Sequence, residues 1–329
     1  SAHRITESDS LCNVKIGTNT LNNNTTGDNN VAIGSNTLCV NTEGDCNVAI
    51  GKEALRFNTS GVSNAAIGPF ALYCNTEGGY NAALGDRALL KNTTGCYNTA
   101  VGRNSLTSNT TGNFNTSIGF TTLQNNTTGS CNIAIGEYAL HLGLSGHHNV
   151  AVGQHTLCSN YGGTLNVAIG KESLRSNTTG ACNVAIGNNT LRKNTTGSWQ
   201  TAVGLCALCN NTTGYGNAAF GNLALCGNST GVDNVGVGYL ALGDNGSGSC
   251  NVAVGYQSLK QSVSGTHNFA AGACALFSNW GGSCNTSIGY LSLQCNTTGT
   301  ANTAIAAQSL RCNTTGSNNV ALGPISLFK

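Results

Sequence analysis

Sixteen cysteines and a group of histidines are the residues of this sequence most capable of chemistry. Cys206-Ala-Leu-Cys209 has the Cys-x-x-Cys spacing that redox proteins and zinc sites use. No βαβ pattern surrounds it, and no cysteines at metal-finger spacing accompany it, so the sequence favours neither chemistry. We therefore predict no metal site and no cofactor.

The histidines lie close together in one stretch of the chain, beside a glutamate, at His141, His147, His148, His155 and Glu137. A metal or receptor site is one interpretation, and exposed turn histidines are the other. Elsewhere the acidic residues are scattered, and the sequence contains no Ser/His/Asp set and no phosphate-binding loop. It therefore predicts no catalytic residues and no enzyme.

All these residues belong to one short repeat. A glycine recurs at every seventeenth position from Gly17 to Gly323, and Ala306 is the single exception. One repeat reads Asn-Val-Ala-Ile-Gly-x-x-Ala-Leu-x-x-Asn-Thr-Thr-Gly-x-x, which is too short for a helical hairpin of roughly 30 residues. The pattern predicts an all-β fold with few or no helices, a single parallel β-solenoid of 19 rungs in which each 17-residue repeat forms one rung. We expect one continuous domain over 1–329, with a divergent first rung at 1–17 and a partial last rung at 324–329.

Stacked rungs place each repeat position over its copy in the next rung at about 4.8 Å, so equivalent residues form columns along a rod roughly 90 Å long. The leucine column, which contains Leu55, is one half of the predicted core. The other half is the column of Ile or Val that precedes the repeated glycine, at Ile33, Ile50, Ile67, Val101 and Ile118. An alanine column that includes Ala49 and Ala185 could point inward or outward. We favour inward, because so short a rung encloses little space.

The composition indicates a neutral surface. Only 8% of the residues are charged and the net charge is +2, so the chain lacks a basic footprint for nucleic acid. The sequence contains no run of about 18 apolar residues that could span a membrane.

A slower period of seven rungs relates the segment 34–61 to 153–180 and more faintly to 272–299. It reflects a duplicated block, a contact repeated every seven rungs, or both.

The cysteine content indicates an oxidising, extracellular setting, secreted or on a virion surface. Two pairs are separated by one repeat and should lie on neighbouring rungs, Cys209 with Cys226 and Cys295 with Cys312. A separation of about 4.8 Å between rungs falls within the range that a disulfide spans. These are the candidate disulfides, although side chains from one column could also point the wrong way.

The Asn-Thr-Thr turn creates N-glycosylation sequons. They occur at Asn24, Asn58, Asn92, Asn109, Asn126, Asn177, Asn194, Asn211, Asn228, Asn245, Asn296 and Asn313. A glycan coat is one interpretation. The asparagine persists where the sequon is broken, as at Asn41 and Asn160, which favours a role in the turn or in an asparagine ladder instead.

The Asn-Val-Ala-Ile-Gly segment at 47–51 and 183–187 resembles the head repeat of YadA-type trimeric autotransporter adhesins. The full repeat, for instance the segment 98–112, is similar to 17-residue arrays of phage tail-fibre and giant-virus surface proteins. The resemblance covers nearly the whole chain. It implies a parallel β-roll and an extracellular fibre or adhesin-like rod.

Three functions follow as expectations. The first is a structural filament subunit that binds copies of itself by head-to-tail stacking, since open rungs expose unpaired strand edges. The candidate assembly ends are Ser1, Ile5, Leu11, Ile325, Leu327 and Phe328. The second is an adhesin segment that binds glycans or a host surface, and the third is an ice-binding solenoid.

Overall fold

The computed structural model describes residues 10–327. The chain divides after Thr164 into two compact units, and we describe each by itself. Unit 1 contains nine strands: β1 (Val14–Ile16), β2 (Val31–Ile33), β3 (Val48–Ile50), β4 (Ala65–Ile67), β5 (Ala82–Leu84), β6 (Thr99–Val101), β7 (Thr116–Ile118), β8 (Ile133–Ile135) and β9 (Val150–Val152). Unit 2 contains ten: β10 (Val167–Ile169), β11 (Val184–Ile186), β12 (Thr201–Val203), β13 (Ala218–Phe220), β14 (Val235–Val237), β15 (Val252–Val254), β16 (Phe269–Ala271), β17 (Thr286–Ile288), β18 (Thr303–Ile305) and β19 (Val320–Leu322).

Within each unit, every strand pairs in parallel with the strand of the next rung. The register is one full repeat, so that Val48 lies opposite Ala65 and Ile50 opposite Ile67. No helix occurs among residues 10–327, and hence none there that is long and apolar enough to cross a membrane. The predicted all-β parallel solenoid with 17-residue rungs is confirmed in both units. The continuity of one domain over 1–329 stays a prediction.

Each rung has one short strand, and turns form the rest of it. The segment that ends on the repeated leucine is a turn, since Glu53 and Leu55 have φ angles of 61° and 50° in the left-handed region. A third left-handed residue, Ser63 at φ 55°, precedes the next strand. Such angles are uncommon for residues other than glycine, and here each recurs at the same position of successive rungs. The chain thereby closes each rung within a single repeat.

The core consists of the leucine column and the alanine column. Leu55, Ala49 and Ala185 are fully buried, which confirms the inward direction of the alanine column. Where serine replaces alanine its hydroxyl is paired, since Ser105 Oγ lies 2.7 Å from Ser117 Oγ, which donates to the Thr122 carbonyl. Lys15, at the same position in β1, is exposed.

The prediction that the Ile and Val column belongs to the core is wrong. Ile67 is 40% exposed and Ile118 is 38% exposed, while Ile33, Ile50 and Val101 are half-buried. Successive residues of a strand point to opposite faces, so a strand that turns its alanine inward must turn this side chain outward. We call this row the outer isoleucine column; it has one member in each rung, from Ile16 to Val152 in unit 1 and from Ile169 to Leu322 in unit 2.

A column of buried asparagines lies at the start of the strands, and we call it the strand asparagine column. The backbone N–H of Asn47 donates to Asn30 Oδ1 at 2.9 Å, and Asn47 Nδ2 donates to the Gly61 carbonyl at 2.9 Å. Gln200, the one substitute, keeps the pattern by donating from Nε2 to the Gly214 carbonyl. These side chains satisfy backbone groups that the three-residue strands leave unpaired.

Candidate functional site

The asparagines of the sequons form a second internal ladder, the turn asparagine column. Asn58 Nδ2 donates to Asn41 Oδ1 at 2.8 Å and to the Gly61 carbonyl at 2.9 Å. Asn58 Oδ1 in turn accepts from Asn75 Nδ2 at 2.8 Å. Each side chain therefore connects its own turn to the rung before it and the rung after it.

This ladder argues against the glycan coat. Ten candidates are no more than 1% exposed: Asn58, Asn92, Asn109, Asn126, Asn177, Asn194, Asn211, Asn228, Asn245 and Asn296. The other two, Asn24 and Asn313, are half-buried and also donate from Nδ2. A sugar on Nδ2 would replace a hydrogen that the ladder uses and would need space that the buried turn lacks. The structure favours the role in the turn over glycosylation.

The turn asparagine column is interrupted at Gly143 and at Ser262, which are seven rungs apart in the sequence. The second interruption leaves polar atoms unsatisfied. Ser262 Oγ and Asn245 Oδ1 are buried and have no hydrogen-bond partner among the described residues. The shorter serine does not reach Asn245, whereas an asparagine in the same turn of other rungs reaches its neighbour.

We predict that Ser262→Asn stabilises unit 2. The new amide can donate to Asn245 Oδ1 and to the Gly265 carbonyl, and its oxygen can accept from Asn279 Nδ2, which donates to the Gly282 carbonyl. Satisfying a buried polar atom is worth about 1 to 3 kcal/mol. Urea denaturation should show a higher midpoint, and exposed Ser264→Asn in the same turn is the matched control. A lower midpoint for Ser262→Asn than for the control would contradict this account.

The two predicted cysteine pairs lie on neighbouring rungs, but the structure holds all sixteen cysteines as thiols. Cys209 Sγ lies 3.8 Å from the Cys226 carbonyl oxygen, and Cys226 Sγ lies 3.3 Å from that of Gly243. Burial, and then the neighbouring Cys206, raise the pKa of the Cys209 thiol to about 11. Only the thiolate attacks a disulfide, so Cys209 is a slow nucleophile at neutral pH. Cys295 and Cys312 are exposed, and both bridges stay predictions.

The histidine stretch is divided between two surfaces. His155 stacks on Tyr138 with ring centroids 5.1 Å apart, and His141 meets the edge of the same tyrosine ring at 5.2 Å. His147 lies in another turn, where its Nδ1 accepts from the backbone N–H of Ser130 at 3.0 Å.

Glu137 Oε2 accepts from Gln154 Nε2 at 2.8 Å. In the described part of the chain, no three His, Cys, Asp or Glu side chains are grouped so that they could hold a metal ion. The ring of His148 is near that of His147, with 6.5 Å between their centroids. The geometry favours the interpretation as turn histidines.

The ice-binding expectation depends on free threonine hydroxyls. In the turn, Thr59 Oγ1 donates to the Thr76 carbonyl at 3.1 Å, and Thr93 Oγ1 donates to that of Thr110 at 3.0 Å. These hydroxyls are used to join successive rungs, which weakens the case for an ice-binding surface.

The outer isoleucine column is the candidate site that the structure supports best. Side chains of this column that are more than a third exposed include Ile67, Leu84, Ile118, Ile135, Ile169, Ile186, Phe220, Val254, Ile288 and Ile305. With the residues two positions earlier, such as Val48 and Thr99, they make one face of the sheet in each unit. No residue in either row is charged. The sequence alone does not reveal this surface, because the same apolar residues also suit a core.

Two of the candidate end residues, Ile325 and Leu327, are more than half exposed, and Leu11 is half-buried. Ser1, Ile5 and Phe328 lie outside the described residues.

No protein-family model and no curated protein sequence matches this chain.

Proposed function

We propose that this chain is a non-enzymatic structural protein of an extracellular fibre, and that copies of it associate through the outer isoleucine column. The observation that supports this most is the exposed apolar face of the parallel sheet. In unit 1 the face covers nine strands, and at about 4.8 Å per strand and about 10 Å of width it has roughly 400 Å². Soluble monomers rarely expose larger contiguous apolar patches, and patches of this size commonly mark an interaction site.

A second copy fits this face better than a partner of different chemistry. The face repeats at the spacing of the rungs, so two copies can interdigitate their side chains along its whole length. It has no charged group that would need a counter-charge, and the net charge of +2 causes little repulsion between copies. Head-to-tail stacking of rungs stays a further prediction, supported by the constant backbone register from rung to rung.

The adhesin function is the second candidate. Exposed aromatic side chains support it, among them Tyr97, Phe114, Trp199 and Trp280, because such residues are common in recognition surfaces. An adhesin segment requires a ligand other than the chain itself, whereas a fibre subunit requires only the chain. The same experiment can separate the two.

Ile118→Lys combined with Ile135→Lys tests the fibre proposal. Both side chains point outward from β7 and β8, so the lysines should leave the rungs folded but place charge on the apolar face. We expect the native chain to sediment as oligomers and to form fibres in negative stain, and the lysine variant to sediment as a monomer. Thr111→Lys with Thr128→Lys, at exposed turn positions of the same unit, is the matched control.

Far-UV circular dichroism should be the same for all three proteins. If the native chain stays monomeric at the highest concentration reached, the fibre proposal fails and an adhesin segment becomes the better candidate. If the control variant dissociates as fully as the isoleucine variant, added charge alone explains the effect and this face is not the interface.

A further inference from the structure

One exposed column orders aromatic rings face to face. In unit 1, Tyr80 stacks on Tyr97 with ring centroids 4.9 Å apart and an interplanar angle of 3°, and Tyr97 stacks on Phe114 at 5.0 Å and 3°. The three have φ angles of 57° to 59°. We call the position that precedes the strand asparagine in each rung the aromatic column. A ring in this column presents one face to each neighbouring rung.

Unit 2 has a ring in this column with no ring above it. Trp199 has the same φ of 57° and is 67% exposed. The next residue of the column is Gly216, which has no side chain, and its φ of 68° keeps the left-handed conformation of the column. An indole oriented like the stacked rings of unit 1 would turn one face to the gap at Gly216, which is one rung deep, about 4.8 Å.

The far side of the slot carries an acidic group. Asp233 is the column residue of the following rung, and a Cβ atom added to Gly216 would collide with Asp233 Oδ1. The carboxylate thus reaches back over Gly216 towards the slot. The backbone N–H of Asp233 donates to the Tyr215 carbonyl at 3.0 Å, while its carboxylate forms no ion pair with any described residue.

We propose that the slot formed by Trp199, Gly216 and Asp233 binds a planar cation, the guanidinium group of an arginine side chain. A guanidinium is flat enough to replace the missing ring and stacks favourably on an indole face. Its N–H groups can at the same time donate charge-assisted hydrogen bonds to the Asp233 carboxylate. An ammonium group is not planar, and a neutral sugar would leave the carboxylate without a counter-charge.

This site lies in the aromatic column and uses no residue of the outer isoleucine column. It is therefore independent of the fibre proposal, and it would give the chain a contact to an arginine on a partner or on another copy. The chain contains only two tryptophans, so Trp280→Phe leaves Trp199 as the single indole reporter.

Tryptophan fluorescence of the Trp280→Phe protein should be titrated with N-acetyl-arginine amide, and in parallel with the neutral isostere N-acetyl-citrulline amide. We expect a saturable change with arginine and a dissociation constant at least about 5-fold weaker with citrulline, since one exposed charge-assisted contact is worth about 1 kcal/mol. Asp233→Asn should weaken the binding of arginine to the level of citrulline. Asp244→Asn, which removes an acid outside this column, should leave it unchanged.

Gly216→Tyr tests the slot itself. Tyr80 and Tyr97 show that this column accepts tyrosine at the same left-handed φ, and the flexible Asp233 side chain can rotate away from the new Cβ atom. The variant should therefore fold and should place a ring on Trp199. We expect it to abolish the response to arginine, whereas Thr213→Tyr, at an exposed turn position nearby, should not. Equal binding of arginine and citrulline, or undiminished binding by Gly216→Tyr, would overturn the proposal. A response to maltose without one to arginine would also overturn it and would identify a sugar site.

Discussion

Gly85→Ala is expected to lower the stability of the surrounding rungs of unit 1 by about 2 to 6 kcal/mol, from backbone strain and overpacking together. Gly85 has a φ of 139°, which side chains of L-residues rarely adopt, and strain of that kind costs about 1 to 3 kcal/mol. A Cβ atom at this position would also lie 2.6 Å from the carbonyl oxygen and 2.7 Å from the carbonyl carbon of Gly102. These are backbone atoms of the next rung and cannot rotate away, so overpacking adds about 1 to 3 kcal/mol.

Gly162→Ala is the matched control, because a Cβ atom there meets nothing within 4 Å. Long repeat arrays need not unfold in one step, so native-state hydrogen exchange of the amides near Gly85 should accompany thermal denaturation. If Gly85→Ala melts at the same temperature as the control, the steric account of the repeated glycine is wrong. Ala306, the natural exception, has a φ of 102°, below the 139° of Gly85, and lies one rung before β19, the last strand among the described residues.

The second large effect is expected for Asn98→Asp, which keeps the size of the side chain and changes only its hydrogen bonding and charge. Asn98 Nδ2 donates to Asn81 Oδ1 at 3.1 Å and to the Gly112 carbonyl at 2.9 Å. A carboxylate at this position faces two acceptors without a proton to donate, in a fully buried place. Losing the two donated bonds, at about 1 to 3 kcal/mol each, predicts a loss of about 2 to 6 kcal/mol at pH 7.

The loss should depend on pH in a defined direction. The fold disfavours the charged form of the introduced carboxyl, so its pKa in the folded state is raised above the unfolded value of about 3.9. Below the unfolded value the group is protonated in both states and can donate to the Gly112 carbonyl, so the penalty is small. Stability is then lost as the pH rises through the folded pKa.

Denaturation midpoints of Asn98→Asp at pH 4 and pH 7 should therefore differ more than those of the native chain. Asn22→Asp, at an exposed position of the same unit, should show no such difference. A pH-independent loss for Asn98→Asp would mean that packing, rather than the amide donors, is what the strand asparagine column contributes.

The sequence by itself determined the period, the parallel stacking and the identity of the columns. Because the glycine recurs at every seventeenth position without insertion, equivalent residues of successive repeats must be neighbours in the fold. This is why the leucine core and the rung register could be predicted. The persistence of Asn41 and Asn160 where the sequon is broken also indicated a role in the turn, and the buried turn asparagine column agrees with that interpretation.

The tertiary structure alone decided which way the strand faces. Ala49 and Ile50 are both apolar and adjacent, so the sequence pattern fits a strand that turns either one inward. The closed rung, with Leu55 inside it, leaves room for the methyl group of alanine but not for isoleucine, and the larger side chain is therefore turned outward. Likewise only the structure brought the Asp233 carboxylate over Gly216, in the rung that follows Trp199, because a gap in a column exists only once the rungs are stacked.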